Sequence, residues 1–223
     1  AYRETIRKRA HKHTRFKRQT GGHGQFADVQ IEVEPRPRGS GFAFDDRIVG
    51  GAVPRSYVPA VEAGAQDGLH SGPLGFPVVD VAVTLVDGQY HAVDSSEQAF
   101  RIAGRNAVAE ALPQCEPVLL EPVDHVTISV PQAMTSKVHG LIAARRGQIL
   151  GFQGRSDWDG WDALQAYIPE AEMSDLIQEL RSLTMGVGFF ERRLSHLQEL
   201  TGKLAERVLA RHPPQTAPAG GNR

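Results

Sequence analysis

The sequence predicts an α+β protein of two domains. Three observations carry this. Strand-like and helix-like apolar patterns alternate along the chain, the alternation restarts at Val123, and Pro117 and Pro122 bracket the point of restart. At 223 residues the chain is long enough for two modest cores. Hydrophobic content of 40% and charged content of 23% suit a globular chain, and no apolar run approaches the roughly 20 residues that cross a bilayer, so no membrane partner is expected. The single cysteine, Cys115, has no partner for an internal disulfide, and the first residues are too polar for a secretory signal, which together point to the cytoplasm.

In the first half, the segment from Tyr2 to about Thr14 has room for a long strand. Val29, Ile31 and Val33 alternate with Gln30, Glu32 and Glu34 as its partner. Gly21, Gly22, His23 and Gly24 lie between, and three glycines in four positions predict a hairpin tip. Val58, Val61, Ala65 and Leu69 recur at helical spacing until Gly72-Pro73. Val79, Val81, Val83 and Leu85 alternate up to Asp87-Gly88, read as a turn. Phe100, Ala103, Ala107, Val108 and Ala111 mark a second helix, with Asp94 and Glu97, or Ser95 and Gln98, as its capping box; Gln89, Tyr90 and His91 then fall at the preceding loop.

In the second half, Val126, Ile128 and Val130 read as a strand and Met134, Val138, Leu141 and Ile142 as a helix face. Ile149 opens a strand, Asp159-Gly160 turns it, and Leu164, Ala166 and Ile168 form the next. Met173, Leu176, Ile177, Leu180 and Leu183 form a helix, and Val187 to Arg192 a last strand. The order βαββαβ is the split-βαβ, ferredoxin-like succession. Leu197, Leu200, Leu204 and Val208 suggest an added amphipathic helix, and the Pro/Gly-rich end at 213–223 reads as a disordered tail. The domains are thus expected at 1–121 and 122–212.

Net charge is −1, yet Arg3, Arg7, Lys8, Arg9, Lys12, Arg15, Lys17 and Arg18 crowd the start beside a single acid, Glu4. A solvated charged strand and an RNA-facing strand both fit that run. No P-loop spacing occurs, so neither GTP nor another cofactor is expected on this chain. Gly202-Lys203 lacks the upstream glycine. His11 and His13 share a strand face without a third metal ligand, and Asp157, Asp159 and Asp162 lack the length and the final glutamate of a calcium loop, so no metal is expected. No catalytic Ser/His/Asp order stands out, and Cys115 lacks an activating neighbour.

Longer motifs carry a resemblance. Ala1-Tyr2-Arg3-Glu4-Thr5-Ile6, Gln19-Thr20-Gly21-Gly22-His23-Gly24-Gln25-Phe26, Gly50-Gly51-Ala52-Val53-Pro54 and Tyr57-Val58-Pro59-Ala60-Val61 resemble the fourth domain of elongation factor G. Tyr90-His91-Ala92-Val93-Asp94-Ser95-Ser96-Glu97 and Pro117-Val118-Leu119-Leu120-Glu121-Pro122 are similar to that domain's remainder. Arg145-Arg146-Gly147 and Leu180-Arg181-Ser182-Leu183-Thr184 are similar to the fifth.

The resemblance implies an elongated arm with a left-handed βαβ crossover, followed by a ferredoxin-like supporting domain, from a monomeric translational GTPase that binds GTP and Mg elsewhere in its length. The implied partners are the small-subunit decoding centre, large-subunit RNA and the tRNA–mRNA pair during translocation. The implied RNA-binding tip is Gly21, Gly22, His23, Gly24, Gln25, Gln89, Tyr90 and His91, with His91 at the position where eukaryotic relatives carry a modified histidine. Lys17, Arg18, Arg145 and Arg146 are the supporting basic residues. His23 in place of a usual arginine, a shorter Leu74-Gly75-Phe76 segment and a helical ending between Ser195 and Arg211 depart from the family pattern and imply a divergent paralogue. Ribosome recycling, ribosome protection, and a small-molecule enzyme on the same fold are the alternatives to translocation.

Overall fold

Period-two apolar patterns dictate strands, and in the computed structural model, which describes residues 1–214, they assemble into two compact units. The first comprises residues 2–120 and 199–214. Its strands are β1 (Arg3–Ile6), β2 (Ala10–Thr20), β3 (His23–Pro35), β4 (Ala43–Asp46) and β5 (Val81–Gln89), with helices α1 (Val58–Leu69) and α2 (Glu97–Ala111). One sheet has the order β2-β3-β5-β4, antiparallel except for the parallel β4–β5 pair that α1 connects. Val29, Ile31 and Val33 of β3 and Val83 and Leu85 of β5 face the helices and are fully buried against Val61, Ala65, Phe100, Ala103 and Ala107. Burying a side chain such as Phe100 stabilises by about 2–3 kcal/mol.

The helices meet backbone to backbone. A Cβ on Gly64 of α1 would lie 2.0 Å from the Arg101 carbonyl oxygen, and one on Gly104 of α2 would lie 2.7 Å from the Val61 carbonyl oxygen. Only hydrogen fits at either place.

The single strand expected from Tyr2 to Thr14 is two. The Arg7 and Lys8 amides both donate to the Cys115 carbonyl (2.9 and 3.0 Å), which bends the chain between them. β1 then pairs with the start of β6 (Pro117–Pro131), Arg3 opposite Leu120, while β2 pairs with β3 from Ala10–Val33 to Thr20–His23. Asp87-Gly88 is likewise not a turn. It lies within β5, where Gly88 passes the Asp28 carbonyl oxygen so closely that a Cβ would come within 2.4 Å.

Glu4 on β1 is 1% exposed. One carboxylate oxygen accepts from the Leu74 and Phe76 amides (2.9 and 3.1 Å), and the other is buried without a partner. Burial pushes its pKa up to about 7 against the opposing pull of those two amides.

The second unit, residues 121–198, holds the rest of β6, α3 (Thr135–Ala143), β7 (Gln148–Gly154), β8 (Trp161–Pro169), α4 (Leu176–Leu183) and most of β9 (Phe189–Leu200). The βαββαβ succession is the one predicted, and the strands lie in the order β9-β6-β8-β7. Val126, Ile128, Val130, Leu164, Ala166 and Ile168 are buried beneath Val138, Ile142, Leu176 and Leu180.

The ending differs from expectation. Leu197 and Leu200 lie on β9, and α5 (Gly202–Arg211) begins only after the strand is broken by Gly202, whose φ is 69°. Residues 199–214 group with the first unit. Leu200 and Ala205 are buried with Leu119, next to Leu74, Phe76, Val208 and Leu209, and Glu199 pairs with Arg7 at 2.6 Å. The tail read as disordered lies outside the described residues apart from Pro213 and Pro214.

Candidate nucleic-acid interface

A two-residue hairpin whose strands twist in the usual sense needs positive φ at both turn positions, which glycine supplies without strain. Gly21 and Gly22 have φ of 53° and 106° and close the β2–β3 hairpin; His23, Gly24 and Gln25 open β3. Gln25 stands opposite Arg18, and Lys17 opposite Phe26. Gln89 ends β5 opposite Asp28, and Tyr90 and His91 follow it in the loop to α2. The tip residues of both segments therefore share one end of one sheet.

Hydrogen bonds join the two segments. The Phe26 amide donates to the Asp94 carbonyl (2.9 Å), and the Ser95 hydroxyl donates to the Phe26 carbonyl (2.7 Å) while accepting from the His91 amide (2.9 Å). The His91 ring meets Phe26 edge-on, with centroids 6.4 Å apart. Gly24 lies so close to Asp94 that a Cβ would be 2.7–2.9 Å from its carboxylate. The Arg15 guanidinium sits 5.6 Å from the centre of the Phe26 ring and reaches Gln89 at 3.5 Å. Tyr57 stacks on Phe100 at 4.9 Å and donates its hydroxyl to the Ser95 carbonyl at 3.3 Å.

The His91 ring is half exposed and oriented by its own loop. Its Nδ1 accepts from the Val93 and Asp94 amides (3.2 and 3.1 Å), so in the neutral ring the proton sits on Nε2, leaving that N–H as a donor for a ligand. Tyr90, His23 and the two turn glycines are exposed, and Gln25 is half buried. The end of the sheet thus offers side-chain donors and acceptors around bare backbone.

The basic run divides into two classes. Arg7 pairs with Glu199 (2.6 Å), Lys8 with Glu116 (2.8 Å), Arg9 with Glu32 (2.6 Å), Lys12 with Glu110 (3.7 Å) and Arg15 with the buried Asp28 (3.1 Å). The pairs between exposed groups contribute little stability, but every one of these pairs cancels a charge. Lys17 and Arg18, beside the hairpin turn, form no ion pair among the described residues. Of the three cations of the run without an ion pair among the described residues, Lys17 and Arg18 lie at the tip, and Arg3, which donates to the Tyr2 carbonyl, lies on β1. His13 donates to Asp28 at 2.8 Å instead of pairing with His11.

Arg145 and Arg146 belong to the second unit and are committed within it. Arg145 is 8% exposed, donates to the Glu172 carbonyl and pairs with Glu179 at 3.1 Å. Arg146 binds the buried Glu121 carboxylate through both terminal nitrogens (2.8 and 3.1 Å) and Glu172 through Nε (3.0 Å). These contacts raise its pKa further above the ordinary guanidinium value, the Glu121 hydrogen bonds most of all.

Ser95, Asp94, Phe26 and Arg15 were not singled out for the tip by sequence reasoning. The signal was the Asp94-Ser95-Ser96 run: the α2 N-cap is Ser96, whose hydroxyl accepts from the Ala99 amide at 3.1 Å. Ser95 is thereby released from the capping role the sequence suggested and ties the loops together instead.

Comparison with known proteins agrees with this architecture. Residues 1–116 match the family profile "Elongation factor G, domain IV", and residues 118–208 match "Elongation factor G C-terminus". The chain is 55% identical over 204 residues to an elongation factor G-like protein of Synechocystis sp., an alignment that covers 92% of this chain and 30% of that protein. A crystal structure from Thermus thermophilus superposes with a TM-score of 0.88 at 37% identity, covering 95% of this chain and 31% of the other. The chain spans under a third of the length of these relatives and, with both its units matched in order, belongs to the elongation factor G family.

Proposed function

We propose that this chain is the ribosome- and RNA-contacting part of a translational GTPase that promotes tRNA–mRNA translocation, its tip entering the decoding centre of the small subunit. The observation that carries the reading is the joining of the Gly21–Gln25 and Tyr90–His91 segments at one end of a sheet, beside the unpaired Lys17 and Arg18. RNA minor grooves are wide and shallow and display 2′-hydroxyls and phosphates, to which the His91 Nε2–H, the Gln25 amide and the glycine backbone are suited. GTP and Mg belong, on this reading, to the remainder of a monomeric cytoplasmic protein. Among the described residues no helix is long and apolar enough to cross a membrane.

The test is rapid-mixing translocation by the full-length protein. His91→Ala should slow the movement about tenfold to a hundredfold, equivalent to the removal of about 1.5–3 kcal/mol of polar interaction. An unchanged rate overturns the reading. A second reading, recycling or ribosome protection, draws on α5 and His23, where the chain departs from the family pattern. It predicts subunit splitting or antibiotic rescue without translocation.

A further inference from the structure

On the proposed reading the tip has two loops that touch RNA, and between them sits a residue that holds both. Ser95 is half buried, and its hydroxyl is engaged by protein in both directions: it donates to the Phe26 carbonyl of the hairpin (2.7 Å) and accepts from the His91 amide of the second loop (2.9 Å). Its backbone takes part as well, the amide donating to the His91 carbonyl at 3.2 Å and the carbonyl accepting from Tyr57 at 3.3 Å. The other links between the two segments are the Phe26 amide to the Asp94 carbonyl and the edge-on contact of the His91 and Phe26 rings, and the Ser95 hydroxyl alone bonds to the backbone of both Phe26 and His91.

We propose that Ser95 is the positioning residue of the tip, joining hairpin and His91 loop into one rigid surface so that binding through either changes the strength of binding through the other. The proposal rests on the RNA-reading function proposed above and names the device that makes two loops act as one site. Gly24 serves the same end from the other side. Its missing Cβ lets the Asp94 carboxylate lie against the hairpin, and a methyl group there would displace that carboxylate.

The experiment has two arms in the full-length protein. The first needs no ribosome: amide hydrogen exchange at His91 and Phe26 in the parent, Ser95→Ala, Ser95→Thr and Gly24→Ala. Ser95→Ala should accelerate exchange at Phe26 by about tenfold or more, Gly24→Ala, which displaces only the Asp94 carboxylate, should do so less, Ser95→Thr should restore protection, and Ala103 within α2 should not change. The second arm is a double-mutant cycle of His91→Ala and Gln25→Ala on the translocation rate. The two effects should be non-additive by about threefold or more with Ser95 present and additive in Ser95→Ala. Unchanged Phe26 exchange in Ser95→Ala, or non-additivity of equal size with and without the hydroxyl, overturns the proposal. If His91→Ala and Gln25→Ala each leave translocation untouched, the decoding-site reading falls, while the exchange arm still decides whether Ser95 couples the loops.

Discussion

Arg146 grips Glu121 with two hydrogen bonds, of 2.8 and 3.1 Å, to a carboxylate that is 1% exposed. Removing the cation leaves a buried charge uncompensated, a loss of about 3–5 kcal/mol for such pairs. Arg146→Met should lower the urea midpoint of unfolding sharply, and Glu121→Gln added to it should recover part of the loss. A midpoint within experimental error of the parent would show that the pair does not hold the second unit.

Glu4 makes stability depend on pH in a direction opposite to an ordinary salt-bridged carboxylate. Burial raises its folded pKa to about 7 from 4.5. Between those values the folded chain keeps a proton that the unfolded chain has lost, so the contribution is complete below about pH 4.5, falls as pH rises, and is gone above about 7. Glu4→Gln should flatten this dependence and raise the melting temperature at about pH 8. Thermal melts of both proteins at about pH 5 and about pH 8 check it; equal slopes would place the proton elsewhere.

His91 has one ring nitrogen that holds its loop and another that bonds to no protein group among the described residues. Asparagine can place an oxygen where Nδ1 lies, accepting the same two amides as in an Asx turn, but cannot reach outward. His91→Asn should therefore match His91→Ala in slowing translocation while keeping the parent's exchange protection at Asp94. Translocation at the parent rate in His91→Asn would assign the histidine a purely local role.

Lys17 and Arg18 are the cations of the run nearest the hairpin turn and without carboxylate partners among the described residues. Changing both to glutamine should weaken ribosome association and reduce the slope of log affinity against log salt by about one for each phosphate no longer neutralised. Changing Lys8 and Arg9, which already face Glu116 and Glu32, should leave the slope close to the parent's. Equal effects of the two double variants would refute the concentration of charge at the tip.

Strands β3 and β8, helices α1 and α2 and the part of β6 that holds Val126, Ile128 and Val130 were legible because one face of each is buried and the apolar period records it, while the stretch of β6 from Pro117, buried on both faces, was read as a boundary. The errors fall where a distant partner decides. The break at Arg7–Arg9 depends on the Cys115 carbonyl, Gly88 on the Asp28 carbonyl, and the extension of β9 on pairing with β6. At the site, the glycine turn was visible in the sequence, while the paired state of the basic run was not, because Glu32, Glu110, Glu116 and Glu199 lie far along the chain from the cations they meet. Arg145-Arg146 matched a motif, and a motif does not say whether a guanidinium points outward or at a neighbouring carboxylate.

The contact of α1 with α2 through Gly64 and Gly104 has a mechanical meaning. Long side chains between two helices act as a cushion, able to change rotamer under load; at Gly64 and Gly104 carbonyl oxygens meet glycine hydrogens and no side chain lies between. Since α2 begins at Glu97, close behind the loop that carries His91, the base of that loop is anchored on a helix with no side-chain cushion against α1 at these two crossings.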